Sequence, residues 1–219
     1  MENLSDIVFA LSLTLIVASS VPTRFDELVS LWREAIAVAM CFALVLLIWS
    51  KHHAFHRRYG LDDGPTIFLN SIVLFLIMIF AYPLKFLALF LVNFFTGYFQ
   101  PMSAASAVLP LDQVHWFIVI YATGYAAIFG VFALMYAHAL KRAGDLGLSP
   151  AERILTRLEV EQGIGAIAIS ALAAIVALAL PANLSPMGGS VYFLIGPVMW
   201  WLTRRAHRKI EAPQAESGG

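Results

Sequence analysis

The chain has 219 residues, of which 60% are hydrophobic and only 13% are charged. A soluble domain carries about 25% charged residues. The low charged content and the mean hydropathy of +0.80 together indicate a surface that mostly faces membrane lipid. The formal net charge is zero, so nothing points to a nucleic-acid partner. A single cysteine, Cys41, excludes a disulfide within the chain. We therefore expect an all-α integral membrane protein.

Charged residues separate the apolar stretches, and a helix needs about 20 residues to cross the hydrocarbon core. The pattern predicts six transmembrane helices within a channel domain of residues 1–211, followed by a disordered polar tail, 212–219. The predicted helices lie near 4–22, 34–56, 65–93, 114–140, 161–180 and 188–204. The run Ser149-Pro150-Ala151-Glu152 is a helix-start signal and predicts a short cytoplasmic helix that leads into the fifth span.

The basic residues predict the orientation of these helices, since cytoplasmic loops are enriched in lysine and arginine. We expect a protein of the cell (inner) membrane with both termini in the cytoplasm. In this orientation Arg24 and Arg33 lie outside, and Lys85 lies within a helix. The other eleven of the fourteen basic residues then lie inside: Lys51, Arg57, Arg58, Lys141, Arg142, Arg153, Arg157, Arg204, Arg205, Arg208 and Lys209.

The first apolar segment has two distinct faces. At 100° per residue, one arc of roughly 100° is apolar except for the hydroxyl of Thr14. Ser5, Ser12 and Ser19 share a second arc. The first arc is the face that we expect the function to use, and it contains Leu4, Ile7, Leu11, Thr14, Leu15 and Ala18.

Polar residues in three places have both a structural and a functional interpretation. Ser5 and Asp6 fit an ordinary helix cap. Trp49 and His52 share a helix face and fit an interfacial belt, although His52 with His56 also has the spacing of a metal, haem or pH-sensing pair.

Asn70 lies near the start of the third span. An amide in hydrocarbon is costly unless it is paired, so we expect Asn70 to hydrogen-bond another helix. The acidic pair Asp62-Asp63, which precedes it, fits solvated loop residues.

Taken together, these motifs resemble the bacterial homologues of the lysosomal potassium channel transmembrane protein 175. Leu4-Ser5-Asp6 stands for the Phe-Ser-Asp of that family, with Thr14 eight residues after the aspartate. The second and third helices match its Trp-x-x-His, acidic pair and asparagine, here Trp49, His52, Asp62-Asp63 and Asn70. The resemblance covers residues 4 to 90. In this chain Leu4 stands where the family has phenylalanine. Ala18 is smaller than the residue that usually forms the third narrow point of the family's pore.

The resemblance implies a potassium-selective or weakly selective cation channel, without an enzymatic activity. It implies a homotetramer with six helices per chain and a pore lined by the first helix, narrowed at Leu11, Leu15 and Ala18. It also implies a hydrogen-bond network that fixes the pore helix, formed here by Ser5, Asp6, Trp49, His52 and Asn70. The permeant ion is potassium, and no cofactor or bound metal is implied.

The expected mechanism is a hydrophobic constriction that gates by dewetting. Four copies of Leu11 would form the narrowest ring, with Leu15 above it, Thr14 as the polar group beside it and Asp6 at the cytoplasmic mouth.

Three other functions remain open from the residues alone. A proton-coupled or ion-coupled transporter would need acidic groups at mid-membrane, and no Asp or Glu lies centrally in any predicted span. A haem or metal membrane protein would use His52, His53 and His56. The third alternative is a scaffold subunit without transport of its own.

Overall fold

The computed structural model describes residues 2–17, 25–96 and 109–216, which are built from helices and their connections. The α-helices are α1 (Glu2–Val17), α2 (Phe25–Tyr59), α3 (Gly64–Thr96), α4 (Val114–Lys141), α5 (Pro150–Ala179), α6 (Met187–Ser190) and α7 (Ile195–Glu216). Short 3₁₀ turns, Leu111–Gln113 and Val191–Leu194, precede α4 and α7.

Four stretches of the described helices are long and apolar enough to cross a membrane. They are Ala35–Tyr59, Gly64–Ala81, Val114–Lys141 and Pro150–Ala179. Ser5–Ile16 and Pro83–Val92 are shorter apolar helices. At 1.5 Å per residue, the 16 residues of α1 extend about 24 Å, and residues 18–22 of the predicted first span lie outside the described part of the chain.

Several helix boundaries differ from the predicted ones. Helix α2 begins at Phe25 rather than near residue 34, because charged residues mark the edge of a hydrophobic stretch without ending a helix. Helix α5 begins at Pro150 as predicted, with a capping box formed by Ser149 and Glu152. It then continues unbroken to Ala179, so the predicted separate short helix is part of the span itself.

The last predicted span, 188–204, is not one continuous α-helix. It begins with α6, passes through the 3₁₀ turn and enters α7, where Pro197 lies in the first turn and its missing N–H is tolerated. Helix α7 continues to Glu216, beyond the predicted end of the channel domain at residue 211.

The chain divides into two compact units, Met1–Arg58 with Leu74–Pro110, and Tyr59–Val73 with Leu111–Gly219. In the second unit α4 packs along α5, and small residues allow the helices to approach closely. A Cβ added at Gly163 would lie 2.6 Å from the Ala133 Cβ, and one at Gly188 would lie 2.7 Å from the Ala177 Cβ. Glycine at these two positions therefore sets the distance between the backbones.

A buried pair of hydroxyls also joins distant parts of this unit. The Tyr59 hydroxyl lies 2.8 Å from the Thr156 Oγ1, 97 residues along the chain. Thr156 donates its own hydrogen to the carbonyl oxygen of Glu152 at 2.7 Å, so Tyr59 is the donor in the pair. Both side chains are thereby satisfied in an apolar interior, where an unmade hydrogen bond is costly.

Candidate pore helix and its polar contacts

Helix α1 buries one face and exposes the other. Ser5, Phe9, Ser12 and Ile16 recur at intervals of three and four residues and are all at most 3% exposed. The Ser12 hydroxyl donates to the carbonyl oxygen of Val8 at 2.9 Å, which satisfies it inside the apolar packing. Ser5 and Ser12 of the second arc therefore lie on the packed side of the helix, and Ser19 lies outside the described residues.

The first arc lies on the opposite side and is uncovered within the chain. Ile7 is 63% exposed, Leu11 47% and Leu15 40%. Such large apolar side chains on one side of a helix must be covered by lipid or by another protein surface. Ala18 and the side chain of Leu4, which belong to the same arc, lie outside the described residues.

Thr14 lies on this exposed face among the leucines. Its hydroxyl donates to the carbonyl oxygen of Ala10 at 2.6 Å, one turn earlier in the helix. The hydroxyl hydrogen is therefore directed at the backbone, and the oxygen keeps lone pairs that can accept a hydrogen bond or contact a cation.

Asp6 and Trp49, which belong to α1 and α2, are joined directly. The indole Nε1–H of Trp49 donates to the Asp6 Oδ1 at 2.9 Å, across 43 residues of sequence. Deeper in the same contact, the rings of Phe9 and His52 have their centroids 5.7 Å apart, and His52 is only 2% exposed. These contacts hold the buried face of α1 against α2.

The three histidines of α2 do not point at one centre. His52 and His56 are neighbours, with ring centroids 4.5 Å apart, but His53 stacks on Trp49 at 5.3 Å. In the described ranges, no group of three or more His, Cys, Asp or Glu side chains is arranged to hold a metal ion. The geometry of these residues fits helix packing better than metal or haem ligation.

Two further residues of the predicted network are buried. Ser5 is fully buried in the first unit, and Asn70, on α3 in the second unit, is 3% exposed. Burial of an amide in an apolar helix supports a structural role for Asn70.

Asp63 has a role that the sequence analysis missed. Rather than being a solvated loop residue, it caps α3 by accepting from the Thr66 backbone N–H at 3.2 Å and from the Thr66 hydroxyl. Its Oδ2 also lies 2.6 Å from the His138 Nε2 and 2.8 Å from the Arg142 Nη1, near the end of α4. The hydrogen bonds from Thr66 and then His138, together with Arg142, hold the pKa of Asp63 well below its ordinary value.

Comparisons with known proteins agree with this architecture. The profile of the endosomal/lysosomal potassium channel TMEM175 family matches residues 1–83, which include α1 and α2. A potassium channel of Marivirga tractuosa is 36% identical over 205 residues, covering 90% of this chain and 83% of the relative. A potassium channel of Chamaesiphon minutus is 30% identical over 101 residues, covering 42% of this chain and 50% of the relative.

A solved structure extends the likeness to the whole fold. The crystal structure of a variant of the potassium channel MtTMEM175, in complex with a nanobody–MBP fusion protein, matches with a TM-score of 0.82 and 34% identity. The match covers 94% of this chain and 92% of that one. With its four apolar candidate spans among the described residues, the chain is a multi-pass membrane protein that belongs to the TMEM175 family of potassium channels.

Proposed function

We propose that the protein is a potassium channel whose pore is lined by α1 in a homotetramer. The observation that carries this proposal is the asymmetry of α1: one face is packed within the chain, and Ile7, Leu11 and Leu15 of the opposite face are 40–63% exposed. Membership of a potassium channel family supports potassium as the permeant ion. The structural match over nearly the whole chain supports the same arrangement of helices as in that channel.

The constriction follows from the chemistry of this face. Four Leu11 side chains around a common axis would form an apolar ring, with Leu15 as the next ring and Ala18 as the third. A narrow apolar ring excludes water until it widens, so it acts as a gate. Potassium holds its hydration shell less tightly than sodium, and a tight ring therefore favours potassium.

The network that holds the pore helix comprises Ser5, Asp6, Trp49, His52 and Asn70. The Asp6–Trp49 hydrogen bond and the burial of the other three residues support this part of the proposal. Five of the six proposed membrane crossings are supported by the four long candidate spans and by the apolar stretch Ser5–Ile16 of α1. Pro83–Val92 continues the third crossing within α3, and the sixth crossing rests on the hydrophobic sequence near 188–204. The lysine and arginine distribution favours an orientation with both termini cytoplasmic, and we propose the cell (inner) membrane as the location.

The proposal is tested by ion flux from liposomes that contain the purified full-length chain, with potassium compared against sodium. Leu11→Ala removes the bulk of the narrowest ring, so potassium flux should rise several-fold and the potassium-to-sodium ratio should fall. Leu46→Ala is a matched control, because Leu46 on α2 is 45% exposed and Leu11 is 47% exposed.

Two results would contradict the proposal. One is unchanged flux and selectivity in Leu11→Ala together with normal flux in the unaltered protein. The other is a particle mass in solution that does not correspond to four chains.

A further inference from the structure

A basic cavity of about 350 Å³ lies in the second unit, and its lining residues lie between 140 and 209 in the sequence. It opens between the first turns of α5 and the middle of α7, with the end of α4 beside it. Its walls are formed by Leu140, Ala143, Arg153, Ile154, Arg157, Leu158, Glu161, Arg205, Ala206 and Lys209.

The charged residues of the cavity are strongly unbalanced. Four cations line it against one carboxylate, Glu161. Arg153 and Arg157 occupy successive turns of α5, and Arg205 and Lys209 occupy successive turns of α7, so two cationic rows face each other. Such a concave surface concentrates anions.

Within the described part of the chain, none of these four cations makes an ion pair. Arg153 is positioned differently, because its Nε donates to the carbonyl oxygen of Leu148 at 3.1 Å. A salt bridge does not explain why the cations are gathered here, and charge alone favours keeping them apart.

The floor of the cavity is apolar. Leu158 and Ala206 belong to a buried cluster with Leu202, and Ile154 packs against that cluster. The cavity therefore combines a cationic rim with a hydrocarbon floor, which suits a ligand that carries both an anionic group and an apolar chain.

Exposed tryptophans on α7 indicate that the rim lies at the depth of lipid headgroups. The guanidinium of Arg205 lies over the Trp201 ring at 5.6 Å, and that of Arg204 lies over the Trp200 ring at 5.0 Å. Both tryptophans are more than half exposed, and exposed tryptophan is enriched at membrane–water interfaces. Basic pockets between helices at that depth bind anionic headgroups.

We infer that this cavity is a binding site for a phosphate group, presented either by an anionic phospholipid headgroup or by free phosphate. The planar guanidinium groups of Arg157 and Arg205 match the oxygens of a phosphate, and Lys209 adds a mobile third donor. When the phosphate belongs to a lipid, the acyl chain lies against the apolar floor.

The test uses the detergent-purified full-length chain and three probes: dioctanoyl phosphatidylglycerol, dioctanoyl phosphatidylcholine and inorganic phosphate. Binding is measured by native mass spectrometry and by the shift in melting temperature. A cation in direct contact with an anionic headgroup contributes about fivefold to its binding. Arg157→Gln/Arg205→Gln should therefore weaken phosphatidylglycerol binding by roughly 30-fold, and Lys209→Gln by about fivefold.

The control is Arg204→Gln/Arg208→Gln, which removes the same charge from exposed residues that do not line the cavity. Binding by this control should stay within about twofold of the unaltered protein, because a phosphate in the cavity touches neither side chain. Arg157→Lys/Arg205→Lys should retain most of the binding. If Arg157→Gln/Arg205→Gln fails to fold, the binding of phosphatidylglycerol by Lys209→Gln is compared with that of the control instead.

The probes distinguish the two sources of the phosphate. Phosphatidylglycerol binding that exceeds phosphatidylcholine binding and is lost in the cavity variants supports the lipid, and an equal, variant-sensitive effect of inorganic phosphate supports the free anion. Equal binding of the two lipids without an effect of phosphate overturns the site, as does equal weakening by cavity and control variants. None of these measurements depends on conduction, so they stand apart from the proposed pore.

Discussion

The carboxylate of Asp63 lies 2.6 Å from the imidazole of His138, although 75 residues separate them in the chain. Arg142 donates to the same Oδ2 at 2.8 Å, and Thr66 occupies the other oxygen. One side chain thus caps α3 and ties the start of that helix to the end of α4.

We expect Asp63→Asn to lower the melting temperature of the detergent-solubilised protein by about 3 °C at pH 7. Asparagine still caps the helix, so the loss reports the charge that faces His138 and Arg142. Asp62→Asn serves as the control, because Asp62 is the exposed acidic neighbour. Equal losses in the two variants would contradict a special role for Asp63.

The contribution of Asp63 should also depend on pH. Its pKa is lowered in the folded protein, so its stabilising effect is complete above the ordinary carboxyl pKa of about 4 and is lost as the pH falls below that value. The difference in melting temperature between Asp63→Asn and the unaltered protein should therefore persist from pH 7 to 5 and shrink toward pH 3. A difference that grows on acidification would refute this linkage.

Trp49→Phe tests the contact between α1 and α2. Phenylalanine keeps a ring for His53 to stack on but removes the donor to Asp6. Since Asp6 is exposed to solvent, we expect a loss of only about 1 kcal/mol in unfolding free energy, measured by thermal denaturation. Trp116→Phe, at an exposed tryptophan of α4, should have a smaller effect. The expectation fails if Trp116→Phe is the more damaging change.

Gly163→Ala tests the close approach of α4 and α5. The new methyl group would meet the Ala133 Cβ at 2.6 Å and the Phe129 carbonyl oxygen at 3.0 Å, so the helices must separate. We expect a loss of about 2 kcal/mol, seen as a lower melting temperature. Gly196→Ala is the control, because nothing lies within 4 Å of its added Cβ; a similar loss in both variants would mean that close approach is not the cause.

Thr14→Val tests the only hydroxyl on the exposed face of α1 among the described residues. Valine keeps the shape and removes the oxygen, so potassium flux should fall several-fold if that oxygen contacts the ion. Thr123→Val is a close match, since Thr123 is exposed and donates to the Val119 carbonyl oxygen at 2.8 Å in the same i−4 geometry. Unchanged flux in Thr14→Val would remove this oxygen from the conduction path.

The sequence is informative where a structural signal is local. The start of α5 could be predicted because Ser149, Pro150 and Glu152 form a complete cap within four residues. The burial of Ser5 and Ser12 on one side of α1 likewise follows the helical period.

Signals that depend on distant partners could not be predicted in the same way. Asp63 has the sequence features of a loop residue, and His138 and Arg142 have those of polar residues at a helix end; only the packing of α3 and α4 brings them together. The close approach of Gly188 to Ala177 is another contact between distant parts of the chain, which the neighbours of Gly188 in sequence do not indicate.

In the proposed pore lined by α1, the hydrogen bond from Thr14 to Ala10 affects which sign of charge is favoured beside this face. Backbone N–H groups inside a helix already point to carbonyl oxygens, and the threonine hydrogen does the same. A chloride ion travelling beside this face would meet no donor from Thr14, whereas a metal cation would meet an electron pair. In the proposed pore, the direction of this one hydroxyl would thus favour cations over anions beside Thr14, in the same sense as the carboxylate of Asp6 expected at the mouth.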